Sequence, residues 1–361
     1  QPELHGASRV VVFGGRKTLA AMEDRPWLEK HDPPELDRGI VARALWQRFR
    51  LSRAARHAGC DVLFVPGGSY AGNFKPAVTM SQNLLPFEMQ ELRRYGWSLR
   101  MPKLLLLRWM QSRTFRHADG LIFLTEYARH SVMNVTGEFH GRTTLIPHGL
   151  DTRFHMKPKA QRAITEYRIE NPYRLIYVSI IDRYKHQWHV VEAVAALRRA
   201  GLPVTLDLVG PAYPPALARL EASIERWDPQ RSWVQYHGAI PYGEVHEMYA
   251  QADLGLFASS CENMPNILLE TMAAGLPVAC SNRGPMPEIL RDAGTYFDPE
   301  KPLEIVRVLR ELIGSPQMRA EKALASYQQA QRFSWQRCAK DTFEFLAQVA
   351  LQHKASACSA S

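Results

Sequence analysis

Residues 259–288 read SSCENMPNILLETMAAGLPVACSNRGPMPE, and this stretch decides the fold. The apolar run LGLF just before it, at residues 254–257, is typical of a buried strand. A polar loop follows, and a helix is predicted from Asn266 to Gly275, since a glycine often ends a helix. Residues 277–280 predict the next buried strand. A loop that joins such a strand to a helix is where open α/β sheets bind phosphorylated ligands, because the helix start offers free N–H groups.

Outward from this stretch, short apolar runs alternate with helical patterns. Strands are predicted at residues 9–13, 61–66, 77–81, 120–125 and 143–147, and then at 174–179, 205–209, 234–236, 254–257, 277–280 and 294–297. Helices are predicted at residues 43–58, 103–117, 189–200, 215–227, 242–251 and 266–274. This alternation predicts doubly wound α/β sheets, and a polar connector at residues 148–172 divides them into two Rossmann-like domains.

Length and composition agree with this architecture. The 361 residues suggest two domains, and 46% hydrophobic with 22% charged residues is ordinary for a globular protein. No apolar stretch approaches the roughly 18 residues of a membrane span, and no signal peptide is expected. The five cysteines are odd in number and far apart, so we expect reduced thiols without a metal or disulfide role.

Most of the net charge of +9 lies in the first half of the chain, where no acidic residue occurs between Glu91 and Asp119. The basic residues of this run are Arg93, Arg94, Arg100, Lys103, Arg108, Arg113 and Arg116, and they alternate with Tyr95, Trp97, Trp109 and the leucines at 104–107. Two interpretations stay open: a basic amphipathic helix that meets an anionic membrane or lipid-linked substrate, or a core helix with a solvated basic face. Nucleic acid is disfavoured, because no nucleic-acid motif accompanies the charge.

Two carboxylates flank the junction of loop and helix. Glu262 lies in the loop, and Glu270 follows eight residues later in the helix. Such a pair is most often an accident of a solvated face, but its position after a buried strand favours a functional role.

The stretch resembles the E-x7-E motif of retaining glycosyltransferases of family 4. Other elements are similar to this family in the same order: IPHGLD at 146–151, the segment 177–185, Gly238-Ala239, the segment 253–259 and FSW at 333–335. The resemblance implies an α/β fold of the GT-B type, in which two Rossmann-like domains with parallel sheets face an interdomain cleft and a C-terminal helix crosses back.

The resemblance also implies a division of the chain. We expect an acceptor-side domain at residues 1–155 and a nucleotide-sugar-binding domain at 156–334. A helix at 335–353 should pack back toward the first domain, and 354–361 should form a disordered tail.

Roles follow residue by residue from the resemblance. Glu270 is similar to the glutamate that binds the ribose hydroxyls, Glu262 to the one beside the donor sugar, and Lys185 to the lysine that neutralises the diphosphate. The implied catalytic residues are Glu262, Lys185, Arg183 and Gln82. The implied donor-binding residues are Glu270, Asn263, Met264, Pro265, Asn266, Ile267, Ala239 and Ile240. The residues implied on the acceptor or membrane side are Asn83, Arg93, Arg94, Arg100 and Lys103.

Three positions depart from the family pattern. Ile180 replaces an arginine, and we expect Arg183 to supply the second positive charge. Pro265 replaces a glycine and has no N–H to donate to a phosphate. Gln82 replaces a histidine, and a glutamine can bind a sugar hydroxyl but cannot carry a proton as an imidazolium does.

The first domain departs from the family as well. Members open with a strand, a glycine-rich loop and a helix, whereas here only one strand, at residues 9–13, is predicted before Asp61. We therefore expect the usual first strand and glycine-rich loop to be lacking, which leaves activity open.

The expected reaction is retaining transfer of a sugar from a GDP- or UDP-sugar to a hydroxyl of a glycan or lipid-linked acceptor, in bacterial cell-surface polysaccharide or lipopolysaccharide synthesis. Neither a cofactor nor a metal is expected, and neither is a nucleic-acid partner. The expected location is cytoplasmic, peripheral at the inner face of the membrane. The alternatives are a catalytically impaired nucleotide-sugar-binding protein of the same fold and a sugar-nucleotide epimerase. A Rossmann dehydrogenase is disfavoured, because no G-x-G-x-x-G follows a strand.

Overall fold

A computed structural model describes residues 5–96, 98 and 100–359 of the chain. The chain divides into two compact units. The first unit contains the chain up to Phe87, the segment after Ser98 through Pro147, and the residues after Trp335. The second contains Glu88–Ser98 and His148–Trp335. A short segment from the first half of the sequence therefore belongs to the second unit, which the predicted division did not anticipate.

The first unit has two parallel sheets. The smaller pairs β1 (Val10–Phe13) with β2 (Leu28–His31). The larger has four strands in sequence order: β3 (Leu63–Val65), β4 (Ala77–Met80), β5 (Gly120–Phe123) and β6 (Arg142–Leu145). The core beside β3 contains Trp46 and Leu51, and Phe13 of β1 packs against it. The two sheets therefore share apolar packing.

The second unit has one parallel sheet of six strands, in the order β12-β11-β10-β7-β8-β9. Its strands are β7 (Tyr173–Val178), β8 (Val204–Val209), β9 (Val234–Tyr236), β10 (Leu254–Phe257), β11 (Val278–Ser281) and β12 (Thr295–Phe297). Nearly all side chains of the central strands are buried, as expected for strands covered on both faces.

The helices lie between these strands. In the first unit they are α1 (Arg16–Ala20), α2 (Ile40–Trp46), α3 (Ser52–His57), α5 (Arg100–His117), α6 (Glu126–Thr136) and α14 (Trp335–Ser359), and a π-helical turn, Gln47–Leu51, joins α2 to α3. In the second they are α4 (Met89–Arg93), α7 (Gln187–Arg199), α8 (Pro214–Trp227), α9 (Val245–Gln251), α10 (Asn266–Ala273), α11 (Met286–Leu290), α12 (Pro302–Gly314) and α13 (Pro316–Ala330). Trp335 itself is grouped with the second unit.

Two sequence-based expectations are wrong. The first is that one strand precedes Asp61, because Leu28–His31 forms a second strand parallel to β1. Its sequence, LEKH, lacks the apolar run that marks central strands such as β5 and β10. The second is the disordered tail, because α14 continues through Ser359. Residues 354–358 are exposed but keep a helical backbone, and alanine is the best helix former among the side chains there.

No disulfide bond joins any of the five cysteines in the described part of the chain. No helix in the described part of the chain is long and apolar enough to span a membrane.

Buried Arg319 of α13 joins three parts of the second unit. Its guanidinium donates to the carbonyls of Leu312 and Ile313 at the end of α12, to the carbonyl of Arg162 and to the side chain of Gln161. The guanidinium carbon also lies 5.2 Å from the centroid of the Tyr173 ring. Arg319 thus donates to carbonyls at the end of α12, of which that of Leu312 also accepts from the Ser315 N–H at 3.2 Å.

We predict that Arg319→Met lowers the free energy of unfolding by about 3 kcal/mol, because buried carbonyls lose their donors. Urea titration followed by tryptophan fluorescence measures the change. Arg307→Met is the control, since Arg307 lies on the surface of α12 and its loss should cost under about 0.5 kcal/mol. Equal stability of the two variants would contradict the role assigned to Arg319.

Candidate active site

The six-stranded sheet has a switch point between β7 and β10. The chain runs outward from β7 through β8 to β9, then returns to place β10 on the other side of β7. The loops after β7 and β10 therefore meet at one edge of the sheet, which is where open α/β sheets hold their ligands. Lys185 lies on the first of these loops and Glu262 on the second.

Lys185 and Glu262 form an ion pair across this switch point. Their side chains are only 5% and 15% exposed. The Lys185 ammonium also lies 5.2 Å from the centroid of the Phe257 ring and 5.1 Å from that of Tyr184. A charge in such a water-poor setting interacts strongly with any anion that replaces Glu262 as its partner.

Glu270 lies in α10, at the same edge of the sheet, and is 6% exposed. The Tyr242 hydroxyl donates to its Oε1 at 3.0 Å. The pKa of Glu270 is raised to about 7. Burial is the main cause and the nearby Asp151 carboxylate adds to it, whereas the Tyr242 hydrogen bond acts in the opposite direction. The carboxyl is therefore held near the balance of its two protonation states at neutral pH.

The start of α10 shows how the loop enters the helix. Asn266 is the first helical residue, and its side-chain amide lies 3.2 Å from Nδ1 of His148. The His148 ring in turn packs against Trp335 at 5.5 Å between centroids. Burial lowers the pKa of His148, so this imidazole is neutral at neutral pH. Pro265, which precedes α10, has no N–H to donate. The N–H groups at this end of the helix therefore come from residues of α10 itself.

Ala239 and Ile240 follow β9, just after Gly238, whose φ of 69° suits glycine at this turn. The same loop carries Tyr242, whose bond to Glu270 joins this loop to α10. Sequence reasoning placed Tyr242 at the edge of this loop but gave it no role. The only signal for it was an aromatic residue four positions after Gly238.

Tyr242 is a large aromatic side chain that is 54% exposed. The Phe154 ring packs against its ring at 5.5 Å between centroids, and the Arg153 guanidinium lies 5.5 Å from the ring centroid. Arg153 is itself paired with Asp151 at 2.9 Å. The sequence analysis did not identify Phe154 and Arg153 as residues that contact Tyr242.

Arg183 contacts the segment Glu88–Ser98, which we call the strap. Its guanidinium donates to the backbone carbonyl of Arg94 and lies 5.6 Å from the centroid of the Tyr95 ring. The Tyr95 hydroxyl donates to Asp182, next to Arg183, at 2.9 Å. The structure brings Arg183 to the strap, and its role as the second positive charge stays a prediction.

The five residues assigned to the acceptor or membrane side are divided between the units. Asn83, Arg100 and Lys103 belong to the first unit, whereas Arg93 and Arg94 belong to the strap. The assignment of Arg94 to that side stays a prediction, but carboxylates of the second unit compensate its charge. Its guanidinium donates to both carboxylate oxygens of Glu300, at 2.6 and 2.9 Å, and to Glu91 at 2.7 Å. This bidentate bond lowers the pKa of Glu300.

Gln82 and Asn83 follow β4 in the first unit, and both are exposed. The Gln82 amide lies 3.3 Å from the Met80 sulfur, and the Asn83 side chain accepts from the backbone N–H of Leu85 at 3.1 Å. Both side chains therefore have local partners at the carboxyl end of a parallel strand. Trp97, which was counted in the basic run, lies outside the described residues.

No group of three or more His, Cys, Asp or Glu side chains that could hold a metal ion is found in residues 5–96, 98 and 100–359. The expectation of a metal-independent site stays a prediction.

Comparisons with known proteins find similarity in the second unit. Residues 156–330 match the family described as glycosyl transferases group 1, and Lys185, Glu262 and Glu270 lie within that segment. The second unit is thus similar to this family over most of its length.

Two curated relatives are mannosyltransferases. Over 113 residues the chain is 30% identical to O-antigen chain mannosyltransferase B of Escherichia coli, covering 31% of this chain and 30% of that protein. Over 243 residues it is 25% identical to a GDP-mannose-dependent alpha-(1-6)-phosphatidylinositol dimannoside mannosyltransferase of Mycobacterium tuberculosis, covering 66% and 60%. The chain thus spans less than two thirds of the length of these relatives.

Solved structures show the fold. Sucrose-phosphate synthase from Thermosynechococcus elongatus is similar with a TM-score of 0.70 at 18% identity, covering 98% of this chain and 90% of that one. WaaG, a glycosyltransferase involved in lipopolysaccharide biosynthesis, is similar with a TM-score of 0.66 at 18% identity, covering 93% and 99%. The predicted α/β fold of the GT-B type, with two Rossmann-like bodies, is therefore confirmed.

We predict that Glu270→Gln raises the free energy of unfolding at pH 8 but not at pH 4. A folded-state pKa near 7 lies above the ordinary value of 4.5, so the unfolded chain loses this proton first and stability falls as pH rises from about 4.5 to 7. A neutral glutamine avoids that loss and can still accept from Tyr242. The gain at pH 8 should be about 2–3 kcal/mol.

Urea titrations at the two pH values measure this difference. Exposed Glu247 of α9 provides the control, and Glu247→Gln should change stability by under about 0.5 kcal/mol at either pH. A Glu270→Gln gain of the same size at pH 4 and pH 8 would show that the carboxyl does not titrate as described.

Proposed function

We propose that the chain transfers a sugar, with retention of configuration, from a nucleotide diphosphate sugar to a hydroxyl of a glycan or lipid-linked acceptor. The observation that carries this proposal is the placement of Lys185, Glu262 and Glu270 around the switch point of the second unit. One cation and two carboxylates there suit the diphosphate, the sugar and the ribose of such a donor. Synthesis of a bacterial surface polysaccharide or lipopolysaccharide is the proposed setting, supported by the names of the relatives.

Glu270 is proposed to bind the ribose. An ionised carboxylate accepts two hydroxyl hydrogen bonds well, whereas a protonated carboxyl accepts fewer. The Tyr242 hydroxyl donates a hydrogen bond to Oε1 of Glu270. The ribose would therefore either bind the other carboxylate oxygen or displace the Tyr242 hydroxyl. Nucleotide binding is therefore expected to draw the proton off Glu270.

Lys185 is proposed to neutralise the departing diphosphate. Its present partner is Glu262, and a diphosphate with two negative charges would compete with that single carboxylate for the ammonium. The first N–H groups of α10 add a partial positive charge at the same edge of the sheet. Charges that are fixed before the bond breaks lower the barrier without having to reorganise.

Once Lys185 turns to the phosphate, Glu262 is free to face the donor sugar. Retention is proposed to follow from the leaving phosphate accepting the acceptor's proton on the same face of the sugar. That route needs no pair of protein carboxylates flanking the bond, as glycosidases require. It also needs no metal, in keeping with the proposal of a metal-independent site.

The donor and the location are proposals of the same standing. GDP-mannose is the first donor to test, because the names of relatives include it. UDP-sugars are the second, because a protein of similar fold, Anabaena Alr3699/HepE, has been solved in complex with UDP. We also propose a cytoplasmic location with peripheral contact to an anionic membrane, to which exposed Arg100 and Lys103 at the start of α5 contribute. Release of free sugar from the donor would separate an enzyme from a catalytically impaired binding protein.

We predict that nucleotide affinity rises with pH between 5.5 and 8 and is lost in Glu270→Ala. Ionised Glu270 accepts the ribose hydroxyls, and each bond to a charged partner is worth about 1.5–3 kcal/mol. Calorimetry with GDP and UDP in two buffers of different ionisation enthalpy also counts the released proton. Unchanged affinity in Glu270→Ala would show that Glu270 does not bind the ribose.

We predict that Lys185→Ala lowers turnover at least ~100-fold with the fold intact, since an aimed charge in a water-poor site is worth several kcal/mol. Initial rates of sugar transfer or of donor hydrolysis measure the loss. Lys322→Ala is the control, because Lys322 donates to the carbonyls of Asp292 and Gly294 at the other side of the unit.

Arg183→Ala tests the compensation for Ile180. A loss of turnover similar to that of Lys185→Ala would support Arg183 as the second positive charge. A near-normal rate would restrict Arg183 to holding the strap and leave the role of Lys185 unaffected.

A further inference from the structure

A second stretch without acidic residues lies earlier in the first unit. Between Asp37 and Asp61 the sequence contains arginines but neither aspartate nor glutamate. These arginines are Arg38, Arg43, Arg48, Arg50, Arg53 and Arg56. The structure forms this stretch into one helical segment, in which α2, the π-helical turn and α3 follow one another without a break.

The two sides of this segment differ from the usual pattern of a surface helix. The inner side buries Trp46, Leu51 and Ala55 in the core beside β3. The outer side is also apolar at its first turns: Ile40 is 83% exposed, Val41 73%, Leu45 53% and Phe49 70%. Large apolar side chains grouped on one exposed face are unusual for a face that meets only water.

The arginines of the segment differ in the groups that they contact. The Arg48 guanidinium lies 5.5 Å from the centroid of the Phe49 ring. Arg50 pairs with Glu35 at 2.5 Å, and Arg43 donates to the carbonyl of Leu36. Arg48 and Arg53 form no salt bridge with any described residue. The face therefore combines exposed apolar groups with uncompensated positive charge.

The loop after β3 connects this segment to α5. Tyr70 of that loop has its hydroxyl 3.2 Å from Ser52 Oγ of α3, and its backbone N–H donates to Thr114 of α5 at 3.0 Å. The outer side of α5 likewise exposes Leu106, at 58%, and Trp109, at 62%. The first unit therefore exposes large apolar side chains on α5 as well as on α2.

We propose that the outer face of Ile40–Leu51 is a membrane-docking surface that inserts its apolar side chains among the lipids of an anionic bilayer. The apolar groups fit the boundary between headgroups and acyl chains, and the arginines fit the phosphates above it. This assigns the insertion to α2, a helix that the proposed membrane contact through α5 does not include.

Charge favours a bilayer over a second copy of the chain as the partner. A two-fold interface would use the same patch from both copies, which sets the arginines of one copy against those of the other. An anionic lipid surface instead offers opposite charge to every arginine. The inference concerns a surface remote in sequence from Lys185, Glu262 and Glu270, so it stands or falls separately from the proposed sugar transfer.

Co-sedimentation with lipid vesicles tests the docking surface. The variant Val41→Ser, Leu45→Ser, Phe49→Ser should bind vesicles of phosphatidylglycerol and phosphatidylcholine at least tenfold more weakly than the unchanged protein. The variant Arg48→Gln, Arg53→Gln should lose binding at low salt and differ little at 0.5 M salt, because ions screen exposed charges. Vesicles of phosphatidylcholine alone should bind the unchanged protein much more weakly.

Ile169→Ser, Leu303→Ser is the matched control, because these side chains are 71% and 81% exposed in the second unit. It should bind vesicles like the unchanged protein, and all variants should bind GDP or UDP as that protein does. Equal vesicle binding by the apolar variant, or no preference for anionic lipid, would overturn the proposal. Light scattering that shows a dimer lost in the apolar variant would overturn it in favour of a second copy.

Discussion

The functional part of this chain depends on the order of strands in the second unit's sheet. Because the chain returns from β9 to lay β10 beside β7, two loops far apart in sequence end at one edge, and Lys185 meets Glu262 there. The pair is nearly dry, and removing two charges from water is costly unless each compensates the other. The proposed diphosphate site needs a cation, and the carboxylate of Glu262 compensates the charge of Lys185 in the structure.

The strap shows a different use of charge in the same unit. Arg94 is held by Glu300 and Glu91, and through its backbone carbonyl it also holds the Arg183 side chain. The Tyr95 hydroxyl adds a bond to Asp182, beside Arg183. A segment drawn from the first half of the sequence is thus fixed to the loop that carries Lys185. A movement of the strap would therefore also displace that loop, because the two segments share hydrogen bonds and a ring contact.

The sequence indicated most of this arrangement because its signals are local. The central buried strands of the second unit are apolar runs, and Glu262 and Glu270 lie in the loop after β10 and in the helix that follows it. The strand positions and the pair of glutamates could therefore be inferred from the sequence, whereas the role of Lys185 was implied by the family resemblance. The signals failed where structure depends on distant partners. Glu91 lies three residues before Arg94, but Glu300, its bidentate partner, is 206 residues away, and the local sequence does not indicate that second pairing. Strand β2 is polar in sequence and is a strand only because β1 pairs with it. The bond from Tyr242 to Glu270 likewise joins two separate loops.

Arginines that are satisfied inside the protein and arginines that remain unpaired on its surface have different effects on the charge that the protein presents. In the second unit Arg94 and Arg319 are buried or half-buried and satisfied by carboxylates or carbonyls, so they act as structural ties. In the first unit Arg48 and Arg53 remain on the surface, beside apolar side chains that water does not favour. A cation satisfied internally contributes little field outside the protein, whereas an unpaired surface cation acts over a Debye length of about 10 Å. The formal net charge of +9 therefore lies mainly in the first unit. The same unit carries the exposed apolar side chains of α2. The proposed docking surface would combine attraction by charge with insertion of apolar side chains, and this combination favours binding to an anionic membrane interface.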